Sequence, residues 1–165
     1  MRTIIEVTYV SCSSFTGVKA DLKMSLNFSS LELQNKTIVI VEDDLPSIRY
    51  YETLLQSSGA RVIKFRTGKD FIDFIGNKEE KIDLVIMDFL IPLINGIDCT
   101  RIFRKDRRNV PVLMITAYSS EQSKSDAYIA GCNEYILKPV YPEYIYSLLE
   151  KYLKQQISAS APYRP

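Results

Sequence analysis

The stretch Thr37-Ile38-Val39-Ile40-Val41-Glu42-Asp43-Asp44-Leu45-Pro46 decides the fold of this chain. Its first half is an unbroken β-branched run with no polar alternation. That is what a strand buried on both faces requires, and such strands belong to parallel sheets covered by helices on both sides. The run stops on three acids, after which Asp44 as N-cap and Pro46 in the first turn can open a helix. Three further apolar runs repeat the design. Leu84-Val85-Ile86-Met87 ends in Asp88, Val112-Leu113-Met114-Ile115 in Thr116, and Tyr135-Ile136-Leu137 in Lys138-Pro139. In an open parallel sheet, ligands bind in the crevice outside the carboxyl ends of the strands. Carboxylates, a hydroxyl and an ammonium therefore converge on one edge, which suits a divalent metal and a phosphoryl group.

Outward from these runs, strand and helix patterns alternate from Thr37 on, as in an α/β fold with a parallel sheet. Ile48, Tyr51, Leu54 and Leu55 recur at helical spacing, and Gly59 is read as the stop. A second strand is expected over 61–65, followed by a short helix from Thr67 to Gly76. The third strand is placed over 83–87 and the third helix from Asn95-Gly96 to about Asp106. The fourth helix is placed over 119–130 with Gly131 as its stop, and the fifth strand over 134–137. The last helix is placed over 141–153, with Tyr144, Ile145, Leu148, Leu149 and Tyr152 on one face. Residues 36–155 thus form one domain. Residues 1–35 read as an extension or linker with a strand-like run over 4–10, and 156–165 as a frayed tail.

Composition narrows the chemistry. The chain has 165 residues, 46% hydrophobic and 25% charged, with a net charge of +1, so neither nucleic acid nor a membrane surface is indicated as a direct partner. No apolar run reaches the roughly 20 residues of a membrane span, and the first residues show no secretory signal. Cys12, Cys99 and Cys132 are odd in number and widely spaced, which fits a reducing cytoplasm rather than a disulfide framework or a zinc site. The chain contains no histidine. A Ser-His-Asp triad, a His-ligated zinc and a histidine base are therefore excluded within it. Any phosphohistidine chemistry must take its histidine from a partner.

Val39-Ile40-Val41-Glu42-Asp43-Asp44, Met87-Asp88, Pro92, Gly96, Thr116-Ala117 and Lys138-Pro139, in this order, resemble the receiver domain of two-component response regulators. The resemblance covers 36–155. It implies a flavodoxin-like (CheY-like) α/β fold: a five-stranded parallel sheet, order 2-1-3-4-5, with five helices on its two faces. It implies Asp88 as phosphoacceptor, and Glu42, Asp43, Asp88 and the Leu90 backbone carbonyl as ligands of Mg²⁺. Thr116 would contact the phosphoryl group, Lys138 would pair with it, the Lys138-Pro139 bond would be cis, and Tyr135 would be the aromatic switch. The implied partner is a histidine kinase or a histidine phosphotransfer protein, with a candidate homodimer surface on the helix 4–strand 5–helix 5 face. The domain catalyses its own phosphorylation and dephosphorylation and is not a separate-substrate enzyme. The chain is expected to be a stand-alone receiver or the C-terminal receiver of a hybrid histidine kinase.

The residue types suit that chemistry. Mg²⁺ prefers octahedral oxygen ligation and keeps several waters, so one or two carboxylates and a carbonyl suffice. Close carboxylates raise one another's pKa until a cation relieves them. Leu90 and Tyr118, each two residues beyond a site residue, are expected to shield the phosphoryl group from water. Arg101, Arg104, Lys105, Arg107 and Arg108 are read as a solvated face. Tyr146 is expected outside, on a partner surface, and Cys99 and Cys132 as buried apolar side chains. A phosphorylation-independent pseudo-receiver is the main rival, and the intact Glu42, Asp43, Asp88, Thr116 and Lys138 argue against it. An aspartate-nucleophile hydrolase is disfavoured because Asp88-Phe89-Leu90 lacks a second acid. A nucleotide binder is disfavoured because the six glycines form no phosphate-cradling loop.

Overall fold

The computed structural model describes residues 31–154. The expected strand over 4–10, most of the linker, Cys12 and the tail lie outside the described residues. Five strands and five helices alternate: β1 (Thr37–Val41), α1 (Leu45–Leu55), β2 (Arg61–Phe65), α2 (Gly68–Ile75), β3 (Leu84–Met87), α3 (Gly96–Asp106), β4 (Val112–Thr116), α4 (Glu121–Ala130), β5 (Glu134–Leu137) and α5 (Pro142–Leu149). All pairings are parallel and the order is β2-β1-β3-β4-β5, as the resemblance implies. Ile38 faces Leu84 and Val41 faces Met87 across the central pair, so β1 and β3 end level.

The period-2 pleat divides the apolar run between two cores. Ile38, Ile40, Leu84, Ile86, Leu113 and Ile115 pack with Tyr51 and Leu55 of α1 and Ile145, Leu148 and Leu149 of α5. Val39, Val41, Val85, Met87, Val112 and Met114 pack with Phe71, Cys99, Phe103, Ala127 and Ala130 from the helices of the other face. Every residue of β1, β3 and β4 is buried. Each large apolar side chain so covered contributes about 1.5–3 kcal/mol. Leu31 and Leu33 also join the first core, and the Leu33 N–H donates to the Ser58 carbonyl at 2.7 Å.

Side chains cap four helices, the first through Asp44 as the sequence suggests. Asp44 accepts from the Ser47 N–H at 2.9 Å, Thr67 from Asp70 at 3.1 Å, Asn95 from Asp98 at 2.9 Å and Ser120 from Ser123 at 3.4 Å. Helix α1 ends at Leu55, short of Gly59. Gly59 instead serves the following turn, where φ is +75°. The last helix is not one α-helix. A π-helical turn, Glu150–Lys154, follows α5. Its extra residue per turn brings Leu153 into the core and leaves Tyr152 at the border, with its hydroxyl donating to Glu134 at 2.7 Å.

Two surface expectations are corrected. Tyr146 is half-buried, and its hydroxyl donates to the Leu54 carbonyl at 2.9 Å, one of the carbonyls left open at the end of α1. Tyr144 is the exposed tyrosine of α5. The basic cluster is only partly a solvated face. Arg101, Lys105 and Arg108 are exposed, but Arg104 is half-buried. Its guanidinium donates to the carbonyls of Gly131 (2.7 Å), Arg107 (2.9 Å) and Val110 (2.6 Å) and to Asn133 Oδ1 (2.9 Å). Arg107 likewise donates to the Glu80 carbonyl at 2.8 Å. Arg104 therefore ties α3 to the turn between α4 and β5. Arg104→Met is expected to lower unfolding stability by about 2–3 kcal/mol, since it strands several carbonyls. Arg104→Lys should not restore it, because an ammonium cannot reproduce the planar fork. Arg101→Met should change stability by less than about 0.5 kcal/mol. Equal urea midpoints for wild type and Arg104→Met would contradict the clamp.

Candidate active site

The parallel ladder brings the singled-out residues to one edge. The Asp88 N–H donates to the Val41 carbonyl at 2.9 Å, Glu42 to Phe65 at 3.0 Å and Lys138 to Thr116 at 2.8 Å. Glu42, Asp88 and Lys138 thus each sit one step past a strand, still held by a backbone bond. Gly96 closes the site from below. A Cβ there would stand 2.1 Å from the Asp88 carbonyl oxygen, so only glycine lets α3 start so close.

Lys138 Nζ stands 2.6 Å from Glu42 Oε2 and 2.7 Å from Asp88 Oδ2. Glu42 is 2% exposed and Asp88 8%. The other Asp88 oxygen accepts the Leu90 N–H at 3.1 Å, and Glu42 Oε1 accepts the Asp44 N–H at 3.4 Å. The Lys138-Pro139 bond is cis. Thr116 is buried, and its Oγ1 accepts the Tyr118 N–H at 3.1 Å. Asp43 is half-buried, and its carbonyl accepts from Arg66 Nη2 at 3.1 Å. Tyr135 is half-buried and its hydroxyl donates to the Tyr118 carbonyl at 2.7 Å. Leu90 and Tyr118 are exposed, and the Tyr118 ring packs on Phe89 with centroids 5.2 Å apart.

One ammonium faces two buried carboxylates, so the trio carries a net negative charge. Burial pushes Glu42 up to about 7, and the Asp88 charge adds to this against the pull of Lys138. Burial alone would lower Lys138, but its hydrogen bonds to Asp88 and Glu42 outweigh that and leave it above its ordinary value. The phenol of Tyr51 is raised by burial, then by the charges of Glu42 and Asp88.

Among the described residues, no group of three or more His, Cys, Asp or Glu side chains is arranged to hold a metal ion. The ammonium of Lys138 stands between Glu42 and Asp88. Mg²⁺ does not require an all-protein cage, and Glu42, Asp43, Asp88 and the Leu90 carbonyl offer only hard oxygen donors. The donor set fits that ion.

Several participants carry no motif signal. Arg66 reaches the site only because β2 ends beside β1. The hydroxyl of Tyr50 donates to the Val140 carbonyl at 2.6 Å and holds the turn after Pro139 against α1. The Tyr128 hydroxyl accepts the Tyr135 N–H at 3.3 Å, on the open edge of β5.

Comparison with known proteins agrees with this geometry. A family model described as the response regulator receiver domain matches residues 38–150. The polar-differentiation response regulator DivK of Brucella ovis is 28% identical over 120 residues, which cover 72% of this chain and 96% of DivK. The BeF3-activated receiver domain of DrrB, a Thermotoga maritima protein, superposes with a TM-score of 0.65 at 29% identity, over 72% of this chain and 97% of that one. The receiver domain of sensor histidine kinase PA1611 from Pseudomonas aeruginosa, described with magnesium coordinated in its active-site cleft, gives a TM-score of 0.64 at 26% identity. It covers 72% of this chain and 98% of its own. By family model, sheet order and the residues at the strand ends, this chain belongs to the response regulator receiver domain family.

Proposed function

We propose that this receiver takes a phosphoryl group from a phosphohistidine onto Asp88 and signals by the change of conformation that follows. The single observation that carries the choice of residue is the Lys138 ammonium, 2.7 Å from one Asp88 oxygen, at a buried carboxylate on the sheet edge. In the transfer, an Asp88 carboxylate oxygen forms a bond to phosphorus and the phosphorus–nitrogen bond to imidazole breaks. The released imidazole nitrogen takes a proton from solvent. Lys138 holds and orients Asp88 and stays to pair with the added charge. Glu42, Asp43, Asp88 and the Leu90 carbonyl would hold Mg²⁺, which supplies charge neutralisation between nucleophile and phosphoryl oxygens. The magnesium described in the PA1611 receiver supports that ion. Thr116, whose Oγ1 now accepts from the Tyr118 N–H, has a hydroxyl hydrogen to give a phosphoryl oxygen.

Thr116 and Tyr135 both contact Tyr118, so a pull on Thr116 is felt at Tyr135 and at the start of α4. The donor is a histidine kinase or histidine phosphotransfer protein, and the domain acts in the cytoplasm. No helix among the described residues is long and apolar enough to cross a membrane. The exposed Tyr128, Ile129, Leu137 and Tyr144 support the α4–β5–α5 face as a homodimer surface. Two parents fit this reading, a free receiver and a hybrid histidine kinase that carries the receiver.

Incubation with acetyl phosphate and Mg²⁺ should add one phosphoryl group by intact mass, and neither EDTA-treated protein nor Asp88→Asn should gain it. Unchanged labelling of Asp88→Asn would refute the assignment. The burial of Glu42 also predicts a pH dependence. Folded Glu42 keeps its proton to about pH 7, whereas the unfolded chain releases it near 4.5. Between these values the folded state binds more protons, so its stability falls as pH rises. In EDTA, the urea midpoint of wild type should fall relative to that of Glu42→Gln across this window. Parallel curves would show that Glu42 ionises normally.

A further inference from the structure

Two helices start from the acid site. α1 begins just after Glu42 and Asp43, and α5 begins at Pro142, beyond the turn that follows Lys138. How these helices sit together therefore bears on where the Lys138 ammonium stands. Two phenols join them reciprocally. Tyr50 of α1 donates its hydroxyl to the Val140 carbonyl at 2.6 Å, ahead of α5. Tyr146 of α5 donates to the Leu54 carbonyl at 2.9 Å, near the end of α1. Both tyrosines are half-buried and pack against the first core.

The two bonds do not do the same work. The Tyr50 bond falls on the turn that carries Lys138. On its strand side, that turn is held by the Lys138 N–H on the Thr116 carbonyl at 2.8 Å. On its helix side the usual anchor is missing. Tyr141, the N-cap of α5, makes no side-chain cap bond, whereas α1 to α4 each have one. Apolar packing does not close the gap either. An open cavity of about 320 Å³ lies between α1 and the turn, bordered by Pro46, Tyr50, Tyr51, Pro139 and Val140. The bond from Tyr50 to Val140 ties the two sides of that cavity together. The Tyr146 bond lies further along α5, so it joins the helices without touching the turn.

We propose that Tyr50 is a positioning residue for phosphoryl transfer that acts through Lys138. Its hydroxyl fixes the turn and so keeps the ammonium at contact distance from Asp88 and from the charge that arrives there. A lysine stem is flexible and gives its ammonium no orientation of its own, so the backbone at its root must be fixed. Charge stabilisation depends on groups set in place before the charge develops. This inference rests on Asp88 being the phosphoacceptor.

The test follows labelling of Asp88 by acetyl phosphate at saturating Mg²⁺ in wild type, Tyr50→Phe and Tyr146→Phe, with the urea midpoint of each. Each substitution removes one hydroxyl and keeps the ring, so both variants should lose a similar, small amount of stability. Tyr50→Phe should be labelled about three- to tenfold more slowly than wild type, and Tyr146→Phe within about twofold of it. In a Lys138→Ala background, Tyr50→Phe should cause no further slowing, because the group it positions is gone. Labelling of Tyr50→Phe at the wild-type rate would overturn the inference. So would equal slowing in both phenylalanine variants, which marks a general loss of stability, or an undiminished effect of Tyr50→Phe in the Lys138→Ala background. If acetyl phosphate failed to label wild type at Asp88, the phosphoacceptor reading would fall first and the positioning role with it.

Discussion

Two buried carboxylates share one ammonium at the edge of this sheet. Lys138 holds Glu42 at 2.6 Å and Asp88 at 2.7 Å, and much of the structure serves that contact. Removing charges from water is expensive, and a buried ion pair is tolerated only where geometry and further hydrogen bonds satisfy it. The parallel order brings the ends of β1 and β3 side by side. The Leu90 and Asp44 amides take the remaining carboxylate oxygens. The Lys138 amide is tied to Thr116, and Tyr50 fixes the turn that follows it. Even so, one positive charge cannot balance two negative ones, and burial first, then the charge of Asp88, raises the proton affinity of Glu42. A site that is short of positive charge when empty is one that a divalent cation would complete.

The same edge connects to a helix with few buried side chains. Only Ala127 and Ala130 of α4 are buried, both in its second half. Its far end is fixed by the Arg104 bond to Gly131 and by the Tyr128 hydroxyl on the Tyr135 N–H, and the loop that leads into its near end meets the site through Tyr118. Elements with few buried contacts open at low free energy, which is where switching segments are drawn from. On the proposed reading, a change in what Thr116 holds reaches Tyr135 and the start of α4 through Tyr118.

The fold was legible because its strongest signal is local. Unbroken apolar runs, each closed by a polar residue, announce buried parallel strands and the edge on which they end. The caps at Asp44, Thr67, Asn95 and Ser120 were equally local. What the chain order concealed came from tertiary partners. Tyr146 turned inward because α1 ended early and left a carbonyl to satisfy. Arg104 and Arg107 looked like surface charge, yet loops distant in sequence needed their forks. Arg66, Tyr50 and Tyr128 reach the site through strand adjacency and helix docking, which no spacing rule encodes.

The most direct measurement is to trap the acyl phosphate. After exposure to acetyl phosphate and Mg²⁺, borohydride reduction converts a phosphorylated aspartate to homoserine, and peptide sequencing by mass spectrometry locates it. The account predicts homoserine at position 88 and nowhere else. Reduction products at Glu42 or Asp43, or stable label that borohydride does not remove, would contradict it.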